Sequence, residues 1–144
     1  MTNPRSHLRL RGRGAAMAEF ALITPLLLML MIGTVQLGRA LYAYHFLAVA
    51  ARQAARYAMV RGADCTSFAS ACPAGASDIQ SYVQSLSPGV IDASAITVST
   101  TWAPNNAPGG TVTITVQYPF DLDVPLVPAA ALTLQSSSQM VISQ

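Results

Sequence analysis

The chain has 144 residues, of which 52% are hydrophobic and only 10% are charged. A typical soluble domain carries about a quarter charged residues, so this composition is unusually apolar. The length suits one small domain with an appendage. All eight basic residues are arginines, and the lack of lysine excludes P-loop and Schiff-base chemistry.

The charges are divided unevenly along the chain. Residues 1–14 contain four arginines and no acidic residue, whereas residues 62–144 contain five aspartates and no basic residue. A nucleic-acid-binding domain needs basic residues on its folded part, so a nucleic-acid partner is excluded. A basic start, an apolar middle and an acidic end indicate a membrane protein with its ends on opposite sides of the bilayer.

Residues 20–38 form an uncharged apolar run, FALITPLLLMLMIGTVQLG. Its nineteen residues approach the roughly 20 that a helix needs to cross a bilayer. The preceding arginines predict a single-pass protein with a cytoplasmic N-terminus. Two alternatives stay open: a buried core helix, and a cleaved signal peptide. The second is weakened because the nearest small-x-small site, Ala48–Ala50, lies well beyond the run.

The helical pattern continues beyond the apolar run. Residues 39–61 contain neither Gly nor Pro and are rich in Ala, so one helix is predicted over residues 15–61. Its polar face, within an arc of about 40°, consists of His45, Arg52 and Arg56. The opposite face consists of Leu47, Ala51, Ala54 and Ala58. The Ala-rich face predicts close packing, on the chain's own domain or on another subunit.

Glu19 is an unusual residue because it lies at the start of the apolar run. A carboxylate in lipid costs about 2.5–3.5 kcal/mol at the bilayer centre and less near an interface. The residue therefore has either a functional partner or an interfacial position favoured by the helix dipole. The residue alone leaves both interpretations open.

The spacing of Gly14 and Glu19 resembles the processing site of type IV-like prepilins, in which a basic leader ends in Gly and Glu is the fifth mature residue. Over residues 13–62, RGAAMAEFALITPLLLMLMIGTVQLGRALY and the following AARQAARYAMVRG are similar to the TadE-like family of the tight-adherence (Tad/Flp) pilus. The resemblance implies cleavage between Gly14 and Ala15 by a prepilin peptidase. It also implies that Glu19 and Phe20 act in charge neutralisation and assembly, although major pilins of this system tend to carry Tyr where Phe20 stands.

The same resemblance implies a function. It predicts a structural, non-enzymatic component of a bacterial inner-membrane pilus apparatus, with residues 1–14 as a cytoplasmic leader and residues 62–144 as a periplasmic or extracellular domain. The implied partners are pilin-like subunits, an inner-membrane platform and the peptidase. The alternative is a membrane-anchored periplasmic binding or sensing module without a pilus role.

The predicted exported domain contains the only two cysteines, Cys65 and Cys72. In an oxidising compartment they are expected to form a disulfide. Two cysteines without a nearby His are too few ligands for a metal site, and no metal or cofactor is predicted. Downstream, Ser77-Asp-Ile-Gln80 has the form of a capping box at the start of a short helix that ends near Leu86.

The remaining chain alternates apolar and polar residues, which predicts β-strands. Even-numbered positions are largely apolar in residues 96–102 and 112–120, and again in the last segment at Leu132, Leu134, Met140 and Ile142. An α+β domain is predicted, with an antiparallel sheet of about three strands packed on the short or the long helix. No motif of a metalloprotease or serine hydrolase occurs, so no enzyme and no small-molecule substrate are predicted.

Overall fold

The computed structural model describes residues 8–66, 72–122 and 130–143, with the side chains of residues 8–13 and of Ala130 left out. Two helices precede a three-stranded antiparallel sheet of order β1-β2-β3. The elements are α1 Leu8–Met59, α2 Ala76–Ser85, a 3-10 turn at Ala93–Ala95, β1 Thr97–Ala103, β2 Thr111–Leu122 and β3 Ala130–Val141. The predicted α+β class is confirmed.

Helix α1 has 52 residues and is therefore about 78 Å long. It begins at Leu8, so residues 8–14 of the predicted leader are helical too. It ends at Met59, two residues before the predicted end at Arg61. The Met59 carbonyl accepts hydrogen bonds from the Ser143 N–H at 3.0 Å and from the Ser143 hydroxyl at 3.2 Å. The last residues of the described chain thus satisfy a carbonyl that the helix end leaves without an intrahelical donor.

The sheet has one apolar face, as the sequence predicted. Val112, Ile114 and Val116 of the central strand are fully buried, and the alternating positions carry Thr side chains that lie on the other face. Ile114 pairs with Thr100 of β1 and Ser138 of β3. The prediction that even-numbered residues face inward is confirmed for β2. Leu132 of β3 pairs with the buried Phe120 and so lies on the same face of the sheet, although it is 50% exposed on this edge strand.

The core joins the outer half of α1 to the sheet. Strands β2 and β3 pack on α1, whereas β1 packs on α2. The predicted Ala face of α1 is the surface involved, since Leu47, Ala51, Ala54 and Ala58 are all buried. Small side chains let the helix backbone lie close to the sheet, so this face packs on the chain's own domain.

Helix α2 starts differently from the prediction. The capping box centred on Ser77 is wrong, because the N-cap residue is Gly75 and Asp78 occupies the third helical position. The Asp78 carboxylate accepts a hydrogen bond from the Gly75 N–H at 2.9 Å. Gly has no side chain to return the bond, so only half of a capping box forms.

The connection between α2 and β1 contains a second small cap. The N–H and hydroxyl of Ser94 donate to Asp92 Oδ1 at 2.9 and 2.7 Å. These bonds stabilise the carboxylate form and hold the pKa of Asp92 below its usual value. Asp92 therefore stays charged and begins the 3-10 turn that leads into β1.

Candidate membrane-anchor and assembly helix

The N-terminal half of α1 is an apolar surface that the described part of the domain does not cover. Most large apolar side chains between Met17 and Val35 are more than half exposed, for example Phe20 at 72% and Leu22 at 79%. An 18-residue window in this part of the helix has a mean hydropathy of 2.1 and none of it is buried. By length and composition the helix can cross a membrane, and it is compatible with a single-pass anchor.

Polar groups within this apolar stretch satisfy one another inside the helix. The Thr24 hydroxyl donates to the Phe20 carbonyl at 2.7 Å, and the Thr34 hydroxyl donates to the Met31 carbonyl at 2.8 Å. The helix continues through Pro25, which lacks an N–H donor. Internal hydrogen bonds of this kind suit a helix in lipid, where water cannot supply partners.

The predicted processing residues lie together at the start of this surface. Gly14, Ala15, Glu19 and Phe20 are all exposed on a continuous helix. Ala15 and Glu19 are four residues apart, so they lie on the same face, one turn or about 6 Å along the axis. A Cβ atom built on Gly14 would meet nothing within 4 Å, so packing within the described chain does not require glycine there.

This helix is the part of the chain that known proteins resemble. Residues 14–56 match a family model described as TadE-like protein. This segment of α1 is similar to TadE-like proteins. The resemblance seen in the sequence is confirmed over this segment, which begins at the predicted cleavage residue Gly14 and ends three residues before the end of α1. No curated protein and no solved structure matches the chain.

The match to the TadE-like model also indicates a general function. It indicates a Tad pilus-associated component with an N-terminal helix of membrane-anchor type, in a family of structural pilus components that is not known for enzymes. Among the described residues, no group of three or more His, Cys, Asp or Glu side chains could hold a metal ion.

The outer half of α1 has two contrasting faces. His45, Arg52 and Arg56, the predicted polar face, are exposed. The Ala face opposite them is buried against the sheet. The domain therefore occupies one side of the helix and leaves the basic side accessible, and a role of this side in assembly stays a prediction.

The predicted disulfide between Cys65 and Cys72 is present, with the two Cα atoms 5.7 Å apart. Residues 67–71 of the intervening loop lie outside the described chain. The Ala74 N–H donates to the Arg61 carbonyl at 3.0 Å. The bridged loop thus begins and ends beside the C-terminal end of α1.

Sequence reasoning missed an aromatic contact at this end of the helix. Tyr57 of α1 stacks on Tyr82 of α2, and Arg61 lies over the Tyr57 ring. Hydrophobic periodicity could not reveal the pair because the two tyrosines come from different helices. The one available signal was the position of Tyr82 next to the buried Val83 in an amphipathic segment.

Proposed function

We propose that this protein is a pilin-like structural component of a Tad (Flp) pilus apparatus. In this proposal α1 anchors the chain in the bacterial inner membrane, with the N-terminus in the cytoplasm and residues 62–144 in the periplasm or at the pilus. The main support is that the TadE-like segment coincides with a helix of two different halves. The first half is apolar and exposed, and the second half packs against a folded domain. The distribution of arginines and aspartates supports the orientation.

We propose further that a prepilin peptidase cleaves between Gly14 and Ala15. Glycine within a helix is less stable than alanine by about 0.5–1 kcal/mol. A Cβ at Gly14 would meet no neighbour, so the described fold gives no reason to retain glycine. Recognition by another protein supplies one, because a residue without a side chain lets the backbone enter a narrow active site.

Glu19 has a matching role after cleavage. The cut removes four arginines and creates an amine on Ala15, one helical turn from Glu19. An unpaired charge within an apolar helix bundle costs several kcal/mol. The Glu19 carboxylate can neutralise this amine in its own subunit or in a neighbouring one, and Phe20 lies beside it on the exposed surface.

The test combines intact-mass analysis with pilus formation in a strain that lacks the native copy. Gly14→Arg is expected to leave the full-length chain in the membrane, whereas Gly14→Ala, which adds only a methyl group, should be cleaved in part. Glu19→Ala is expected to be cleaved and to fail in assembly. Glu19→Asp, the matched control, retains a carboxylate and should assemble at least in part.

Each outcome separates the possible roles. Wild-type protein that begins at Met1 in cells with normal pili would refute processing. A fully functional Glu19→Ala variant would give Glu19 the interfacial role only. Normal pili in the complete absence of the protein would refute the pilus role and favour the anchored binding or sensing module.

A further inference from the structure

A groove lies where α1 joins the domain. It has a volume of about 590 Å³ and is formed by residues 35–43 of α1, by residues 90–91, and by residues 118–121 of β2. These three segments are far apart in the sequence. The groove is therefore a product of the tertiary fold at the end of the sheet that faces the apolar half of α1.

The position of the groove relates it to the membrane boundary. The uncharged run ends at Gly38, and Arg39 is the first charged residue after Glu19. Residues 35–43 cover about 12 Å of helix axis. At one end the groove is lined by exposed Val35, which belongs to the apolar run. At the other end it is lined by Tyr42, a residue type that is enriched at membrane–water interfaces.

The groove carries two opposite charges. Arg39 is exposed and donates a hydrogen bond from Nη1 to Gln36 Oε1 at 3.3 Å. Arg has five N–H donors in a planar fork that matches the oxygens of a phosphate. Asp121, at the end of β2, lines the same groove and is also exposed. A cation and a carboxylate at one site complement a ligand that has a phosphate and an ammonium group.

An exposed apolar residue lies at the same place. Val90 is 76% exposed, although its neighbour Ile91 is buried in the core. Both residues line the groove. Transfer of the Val90 side chain from water into an apolar environment would therefore be favourable.

We infer that this groove binds the zwitterionic head group of a phospholipid in the leaflet where α1 leaves the bilayer. Arg39 binds the phosphate, Asp121 binds the ammonium group, and Val90 contacts the upper part of the acyl chains. This lipid site depends on one part of the proposed function, namely that α1 spans the membrane. The groove is continuous with the apolar run and has paired charges, and both features favour a lipid.

The first test measures depth by tryptophan fluorescence. The full chain is placed in vesicles of phosphatidylethanolamine and phosphatidylglycerol, in which part of the phosphatidylethanolamine carries bromine near the top of the acyl chains. Val90→Trp and Leu26→Trp are expected to be quenched. Ser77→Trp is not, since Ser77 is exposed near the opposite end of the domain, close to the contact of Ala74 with Arg61. Wild-type protein supplies the baseline from Trp102, its single tryptophan.

The second test measures lipid selectivity by native mass spectrometry of the full chain released from these vesicles. The wild type is expected to retain phosphatidylethanolamine in preference to phosphatidylglycerol, which lacks the ammonium group. Asp121→Asn should remove this preference, and Arg39→Gln should weaken retention of both lipids by about tenfold, as for the loss of one charge-assisted hydrogen bond. Arg52→Gln, which removes an exposed arginine elsewhere on α1, is the matched control and should change nothing.

The outcomes distinguish this inference from the proposed anchor. Quenching of Leu26→Trp without quenching of Val90→Trp overturns the lipid groove and leaves the anchor intact. Absence of quenching at Leu26→Trp refutes the anchor itself. Equal lipid retention by the wild type, Arg39→Gln and Asp121→Asn also overturns the inference, as does a dimer that dissociates on Val90→Asp, because the groove would then bind a second copy of the chain.

Discussion

Tyr57 of α1 stacks on Tyr82 of α2, with ring centroids 4.3 Å apart and ring planes inclined by 16°. The guanidinium carbon of Arg61 lies 3.9 Å from the Tyr57 ring centroid. The stacked rings join the C-terminal end of α1 to α2, and the Arg61 cation adds a favourable contact with the Tyr57 ring. This contact matters because α2 in turn covers β1.

We expect Tyr82→Leu to destabilise the folded domain, because leucine keeps apolar contact but loses ring stacking. A double-mutant cycle with Tyr57→Leu should give a coupling energy of about 0.5–1.5 kcal/mol. The measurement is chemical unfolding of the full chain in detergent, followed by near-ultraviolet circular dichroism. Tyr44→Leu, at an exposed position of α1, is the control, and additive effects of the first two substitutions would contradict the stacking contribution.

The Ala face of α1 leads to a second prediction. Ala54 is fully buried between α1 and the sheet, so Ala54→Leu overpacks the interface and should cost about 1–3 kcal/mol of unfolding free energy. Gln53→Leu, at the adjacent exposed position, introduces the same side chain without this cost. Similar stabilities for the two variants, measured by thermal unfolding, would show that the helix does not pack on the sheet at Ala54.

The sheet register predicts unequal effects of two adjacent substitutions. Ile114 is fully buried in the central strand, so Ile114→Ala should cost about 2–5 kcal/mol. Thr113 lies on the opposite face and is half-buried, so Thr113→Ala should change stability by about 0.5 kcal/mol. Denaturant titration of both variants checks the order, and equal costs would mean that the register is wrong.

The bond between Cys65 and Cys72 closes a short loop of eight residues. In the chain-entropy description such a loop contributes about 2–2.5 kcal/mol at most. Cys65→Ser combined with Cys72→Ser should therefore lower the free energy of unfolding by no more than this amount. In freshly isolated wild-type protein, alkylation of both thiols without a reductant would contradict a disulfide in the cell.

The proposed orientation predicts the behaviour of reporter fusions. A fluorescent reporter that matures only in the cytoplasm should give no signal when it is fused after the last residue of the chain, because the acidic domain is exported. The same reporter fused before Met1 should be fluorescent and serves as the control for expression. Fluorescence of the C-terminal fusion would refute the orientation.

The sequence by itself determined the features that repeat along the chain. The apolar run of residues 20–38, the Ala face at helical spacing and the alternation in β2 each follow from a local period. These periods predicted the α+β class, the long helix and the buried face of β2, and the motif around Gly14 and Glu19 predicted the family resemblance. The predicted helix ends were less accurate, because the groups at a helix end can find hydrogen-bond partners far away in the sequence. The Met59 carbonyl, for example, accepts its bond from Ser143.

Only the tertiary structure decided which surfaces meet. The wheel pattern of α1 left open whether its Ala face packs on the sheet or on another subunit, and the fold places it on β2 and β3. The contact of Tyr57 with Tyr82 and the groove between Arg39, Val90 and Asp121 likewise join segments that are far apart in the sequence. Such contacts depend on the closure of long loops and on the direction in which each element leaves the core, and neither property is contained in a local residue pattern.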